Sequence, residues 1–318
     1  MATRILFVGD IHAADRPPAG RVDGYREQIL AKLEQIMQAA QGADAVVLLG
    51  DIFHQPRANL VSHGLVKDLI RVFSDYPCPV YAVIGNHDQG EEGLDSIYRQ
   101  PLGVLKEAGA VIIPDAGGAG IGQVALVFRH YFARRDADPN YYALNVEVHP
   151  KRPCVLVAHG SILPPGEVRP YPTVCVTDIP NVERYCLVVS GHIHEDMGIT
   201  ELPGGGYFAN LGSVGRVSRT QGNLTRTPRV LSVTWEGDDV AFDTYELTES
   251  TLPASQVFRV PEATDSEDAS DEIKLFASAL SAGLASESVD VRELVESLEG
   301  SPAAKAHLIR LLIQAGAL

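Results

Sequence analysis

A short apolar run that stops at Gly and is followed at once by Asp or Asn occurs three times in the first ninety or so residues, and it constrains the fold more than any other feature. The runs lie at 4–8, 45–49 and 80–84 and are separated by stretches with apolar residues at helical spacing. In the first stretch Tyr25, Ile29, Leu33, Ile36, Met37 and Ala40 share one face, with Asp23 as the expected N-cap and Gly42 as the stop. A second helical stretch is expected over about 59–73. Strands apolar on both faces that alternate with amphipathic helices predict parallel βαβ units. In such sheets, functional loops gather at the strand C-termini.

The second half is richer in strands. Further apolar runs lie at 124–128, 154–158 and 186–190. Segments 199–202 and 207–209 flank Pro203-Gly204-Gly205-Gly206, and 230–235 and 240–247 flank Glu236-Gly237-Asp238-Asp239, so each pair reads as a hairpin. The expected architecture is a two-sheet α/β sandwich with helices outside.

Five motifs follow apolar runs: Gly9-Asp10-Ile11-His12, Gly50-Asp51-Ile52-Phe53-His54, Gly85-Asn86-His87-Asp88, His159-Gly160 and Gly191-His192-Ile193-His194. Each alone is weak, since Gly-Asp is a common turn and a single His is usually a satisfied core residue. Their coincidence carries the signal. Brought to one sheet edge, the loops would supply two carboxylates, an amide oxygen and four imidazoles. That mixed set suits two first-row divalent cations, with Asp51 able to bridge them. The Asp10-x-His12 and His192-x-His194 alternations put both side chains of a pair on one side of an extended backbone.

In this order the motifs resemble the calcineurin-like metallophosphoesterase superfamily over residues 5–195, with the strands to about 247 completing the domain. The resemblance implies a four-layer αββα sandwich with a dinuclear centre. By motif position, Asp10, His12, Asp51 and His194 would hold one cation, and Asp51, Asn86, His159 and His192 the other. Mn²⁺ is the expected metal, with Fe²⁺ or Zn²⁺ as alternatives. His87 would be the general acid, oriented by Asp88, in hydrolysis by a water activated between the metals.

The run Gly50-Asp51-Ile52-Phe53-His54-Gln55-Pro56-Arg57 is similar to the SbcD branch of DNA repair nucleases, in which a His at the place of His54 is tied to nuclease action. This implies DNA as substrate and an SbcC-like ATPase as a possible partner. A basic strip with no acid, containing Arg216, Arg219, Arg226 and Arg229, follows the last motif; Arg216 and Arg219 are the expected contacts to backbone phosphates. Two other readings stand beside the nuclease. One is a phosphodiesterase acting on nucleotides or cyclic nucleotides, and the other is a non-catalytic interaction scaffold, against which the intact ligand set argues. The stretch Phe128-Arg129-His130-Tyr131-Phe132-Ala133-Arg134-Arg135 reads as a strand end and exposed loop, with a substrate groove as the alternative. His63, His130, His149 and His307 have no matching partners in the sequence.

Composition sets outer bounds. The 318 residues carry a net charge of −15, of which −9 falls between positions 262 and 299, where eleven acids meet two bases. Such a chain is a poor default binder of polyanions, although most of that objection attaches to its tail. The expected organisation is a phosphoesterase domain over 1–250, an acidic linker over 251–271 and a helical segment over 272–318 that docks on the body, on a partner or on a second copy. Four cysteines without CxxC spacing argue against a zinc cluster or disulfide framework and suit a reducing cytoplasm. No run reaches the roughly twenty residues of a membrane span, and the apolar start is too short for a signal peptide.

Overall fold

The computed structural model describes residues 2–259, apart from 19, 56–57, 91–92, 115–117, 146–151 and 170. The chain begins with β1 (Thr3–Val8), α1 (Tyr25–Ala39), β2 (Ala45–Leu48), α2 (His63–Ser74), β3 (Val80–Ala82) and α3 (Pro101–Glu107). It continues through β4 (Ala119–Ile121), β5 (Val124–Arg129), β6 (Cys154–His159), β7 (Ile162–Leu163), β8 (Val174–Cys175) and β9 (Leu187–Gly191). The remaining elements are β10 (Asp196–Glu201), β11 (Tyr207–Leu211), α4 (Gln221–Thr225), β12 (Arg229–Glu236), β13 (Asp239–Glu246) and α5 (Ala254–Val257).

Two sheets form the centre. One has the order β13-β12-β1-β2-β3, with β1, β2 and β3 parallel; the other runs β10-β11-β9-β6-β5-β4, with β5, β6, β9 and β11 parallel. Both expected hairpins are present, as β10–β11 and β12–β13. Strands β1, β2 and β3 at the heart of the first sheet are apolar because both of their faces are covered, whereas the edge strand β13 alternates exposed and half-buried positions. Along β1, Leu6 and Val8 pack towards α1, α2 and α3, while Ile5 and Phe7 pack against Val155, Val157 and Leu187 of the second sheet. Both layers are inaccessible to water, which is why these strands show no polar alternation.

The outer face of the second sheet is covered by loops, short 3-10 turns and the β7–β8 ribbon, where Tyr142, Ile162, Val176, Ile179 and Leu202 pack on Leu156, Val188 and Phe208. This fourth layer is thinner than the first. The chain is therefore an α/β sandwich whose regular helices lie mainly on one side.

Local details depart from the sequence expectation. Gly24, not Asp23, is the N-cap of α1, because the Asp23 carboxylate is taken by the Arg21 guanidinium at 2.9 and 2.6 Å. Helix α2 starts at His63 after an N-cap Ser62 whose hydroxyl accepts from the Leu65 backbone at 3.0 Å. Residues 251–259, placed from the sequence with the linker, pack on the body: Val22 donates to the Val257 carbonyl at 2.9 Å and Phe258 is buried. The acidic stretch at 264–272 and the C-terminal helical stretches lie outside the described residues. All four cysteines are free thiols, and no described helix is long and apolar enough to cross a membrane.

Candidate metal centre

The five motifs leave strand ends of both sheets, not of one. The first three follow β1, β2 and β3, while His159 ends β6 and the His192 turn follows β9. The sandwich sets these ends face to face, so residues from two sheets converge. The crossing is close: His159 Nδ1 donates to the Leu49 carbonyl beyond β2 at 2.7 Å, and the backbone N–H of His192 donates to both Asp10 oxygens at 3.1 and 3.0 Å.

Two donor clusters are built around Asp51, beside a third formed by His12, His54 and His87. One atom from each of Asp10, His12, Asp51 and His194 falls within 4.8 Å of the others, and the same holds for Asp51, His159 and His192. Asp51 belongs to both. Asn86 joins the second cluster, since its Oδ1 lies 3.0 Å from His159 Nε2 and 3.0 Å from His192 Nδ1. In the first cluster, His12 Nε2 and His194 Nε2 stand 2.8 Å apart, and His194 Nε2 is 3.3 Å from Asp10. Asp10, His12, Asp51 and His159 are all buried.

The backbone is held in unusual conformations to make this possible. His12 (φ 53°), Asp51 (φ 48°) and His192 (φ 86°) occupy the left-handed region. For residues with a Cβ this costs on the order of 1–3 kcal/mol each and persists where surrounding contacts over-determine it. Here the Tyr25 hydroxyl donates to the His12 carbonyl at 2.9 Å, and the His12 N–H donates to the Asp51 carbonyl at 2.8 Å. Two glycines are required by close approach. A Cβ on Gly85 would overlap the Asp51 carboxylate and backbone nitrogen, and one on Gly50, itself at φ +100°, would overlap the His159 ring.

The electrostatics fit a site for cations. Burial would raise the Asp51 carboxyl, but His159, His87 and His12 outweigh it and hold Asp51 well below the usual carboxylate range. Burial, with His194 beside it, pushes His12 well down, and burial with His159 lowers His192 to about 4, so both rings are neutral lone-pair donors. Burial also acts to lower His159, yet the Asp51 and Asp10 carboxylates raise it to about 10. A proton there stands where a cation could. Seven oxygen and nitrogen donors, two buried carboxylates and paired imidazole nitrogens make a set that fits two divalent cations.

Beside this set lie His87 and His54. Their rings stack at 5.7 Å with 9° between planes, and both pack edge-on against His12 at 4.9 and 5.3 Å. His87 Nδ1–H donates to the His54 carbonyl at 2.7 Å, which leaves Nε2 as the atom able to carry and release a proton. Asp88 does not orient His87, contrary to the sequence expectation. Its two oxygens accept instead from the backbone of Phe53 at 3.1 Å and Gly85 at 3.0 Å, tying two ligand loops together. Burial and the nearby Asp51 raise the Asp88 carboxyl to about 7.

The expected phosphate contacts do not form a surface strip. Arg216 is 3% exposed and donates to the carbonyls of Asn223 and Leu252; Arg226 donates to the Ser213 carbonyl, and Arg229 pairs with Asp196 at 2.7 Å. Of the four, Arg219 alone is exposed. The turn after β11 folds inward, so side chains that look like a basic patch in sequence become braces for backbone carbonyls. His130 is structural as well, accepting from the Ile84 N–H at 3.0 Å; His149 and His307 lie outside the described residues. One residue of the aromatic-basic stretch belongs to the site: the Tyr131 ring lies 5.3 Å from that of His192 and 6.1 Å from that of His159. The sequence offers a substrate groove only as the alternative for this stretch, because a loop two residues past β5 gives no sign of which side chain turns inward.

The family model for calcineurin-like phosphoesterases matches residues 3–196. Among characterised proteins, a DNA double-strand break repair protein Mre11 from the archaeon Aeropyrum pernix is 31% identical over 87 residues. That match spans 27% of this chain and 21% of the archaeal protein. A dimetal phosphatase from Danio rerio superposes with a TM-score of 0.52 at 13% identity, covering 77% of this chain and 96% of that one. A purple acid phosphatase from yellow lupin gives 0.49 at 13% identity, over 79% of this chain and 52% of the plant enzyme.

Proposed function

Since the chain belongs to the calcineurin-like phosphoesterase family, we propose that it is a dinuclear-metal phosphodiesterase and, more narrowly, an SbcD-like nuclease that hydrolyses DNA. The observation that carries the catalytic reading is the shared position of Asp51 between two donor clusters. In this reading Asp10, His12, Asp51 and His194 hold one cation, and Asp51, Asn86, His159 and His192 the other. Bound there, two cations supply Lewis acidity to phosphoryl oxygens and acidify a water.

The chain's own groups do the rest. His87 delivers a proton from Nε2 to the departing alkoxide, and the His54 carbonyl holds the ring in the required tautomer. Asp88 keeps the loops carrying Asp51 and His87 at fixed spacing. In this reading His54, stacked on His87 and outside those cation donors, contacts the substrate.

The nuclease reading draws support from the His54 placement and the partial similarity to an Mre11 protein. A second reading, a phosphodiesterase for nucleotides or cyclic nucleotides, is favoured by the inward fold of the Arg strip, which removes most of the expected contacts to a long polyanion. The deciding experiment is a substrate panel with Mn²⁺, comparing linear DNA, circular DNA, RNA and bis-p-nitrophenyl phosphate, with a chelator control. The nuclease reading expects chelator-sensitive cleavage of DNA. Hydrolysis of small diesters alone selects the second reading, and chelator-resistant activity rejects the metal centre. An SbcC-like partner, and docking through residues 272–318, belong to the same proposal and are tested by pull-down and light scattering of a chain ending at 259.

A further inference from the structure

We infer that the Tyr131 hydroxyl is a phosphate-binding donor, contacting a non-bridging oxygen of the phosphoryl group on the His159 and His192 side of the centre. This deepens the phosphodiesterase reading and rests on it. Tyr131 is fixed to the ligand loops through its backbone: its N–H donates to the Ile84 carbonyl at 2.8 Å, and its carbonyl accepts from Gln89 Nε2 at 2.8 Å. Those partners flank the turn that carries Asn86 and His87. The ring is thereby held at 32° to that of His192 and edge-on to that of His159.

What remains free is the hydroxyl. By contrast, the hydroxyl of Tyr25 donates to the His12 carbonyl, that of Tyr141 to the His130 carbonyl, that of Tyr142 to Asp136 and that of Tyr185 to the Tyr142 carbonyl. Tyr131 is half-buried, and none of the side-chain hydrogen bonds among the described residues involves its hydroxyl. A buried or half-buried polar group beside a site is ordinarily satisfied by protein, water or ligand. The chemistry of the place favours an anion as that ligand. A phenol is a neutral donor, so it can bind a phosphoryl oxygen without competing with cations for the carboxylates, as a lysine or arginine would.

The test uses the full chain loaded with Mn²⁺, as wild type and as Tyr131→Phe, which keeps the ring and deletes only the donor. Mn²⁺ content, calorimetric binding of inorganic phosphate and turnover of bis-p-nitrophenyl phosphate are measured on both. The expected result is equal metal content, with phosphate affinity and kcat/KM each lowered roughly tenfold or more, the size of one hydrogen bond to a charged group. Weakened phosphate binding with no turnover by wild type keeps the inference and rejects the catalytic reading. Equal phosphate binding by the two proteins, or none by wild type, overturns the inference.

Discussion

Replacing Arg216 by Ala removes a guanidinium that holds three parts of the chain together. Its nitrogens donate to the Asn223 carbonyl at 3.2 Å and to the Leu252 carbonyl, and it lies 5.8 Å from the Phe258 ring centroid. Two hydrogen bonds from a charged donor contribute roughly 1.5–3 kcal/mol each. Against this, burial and the adjacent Arg21 depress the Arg216 pKa, so deleting the cation relieves part of its desolvation. The net loss expected is about 2–3 kcal/mol. For a folded unit of this size that corresponds to a Tm lowered by about 5–10 °C. Arg219 is exposed, and Arg219→Ala should stay within about 0.5 kcal/mol of wild type. Differential scanning calorimetry of both variants is the assay, together with the salt dependence of DNA binding. A brace leaves the salt slope unchanged in Arg216→Ala. A variant of unchanged Tm with a flattened salt slope would refute the reasoning and return Arg216 to the surface.

Loading the centre should release protons. With His159 raised to about 10 in the metal-free fold, calorimetric titration of Mn²⁺ at pH 7.5 in two buffers of different ionisation enthalpy should report at least one proton set free per chain. The sign for stability follows. This group's contribution is fully present below its unfolded pKa near 6.5 and is lost as pH rises towards 10, so the metal-free Tm should fall over that window, and fall less in His159→Asn. Gly85→Ala should abolish metal binding at both positions, because its methyl displaces Asp51, and retained stoichiometry by elemental analysis would contradict the close approach. His87→Ala should keep its metals and lose roughly 10²-fold or more on DNA, with a smaller loss on p-nitrophenyl esters, whose leaving group needs no proton. His54→Ala should lower the ratio of DNA to small-ester rates, and an unchanged ratio favours the small-substrate reading.

The parts legible in the sequence are those decided locally. Ile5 to Val8 and Ala45 to Leu48 announce strands buried on both faces, and the Gly-Asp, Gly-Asn-His-Asp and Gly-His-x-His runs bring ligand types to strand ends. What was not legible depends on distant partners. Nothing near Arg216 in sequence indicates that Leu252 will fold back to accept from it, and nothing near Asp23 indicates that Arg21 will take the carboxylate a helix start would use. The motif resemblance implies that Asp88 orients His87, but its oxygens face the Phe53 and Gly85 N–H groups delivered by the tertiary fold. The convergence of two sheet edges into one site, with His159 reaching the Leu49 carbonyl, is likewise a property of the sandwich and not of any strand.

The central claim is that Asp51 joins two cation sites. Electron paramagnetic resonance of the Mn²⁺-loaded chain, with metal content determined on the same sample, addresses it directly. Two Mn²⁺ per chain with an exchange-coupled signal, both lost in Asp51→Asn, is the predicted result. One Mn²⁺ per chain, or two giving independent six-line spectra that survive Asp51→Asn, would contradict it.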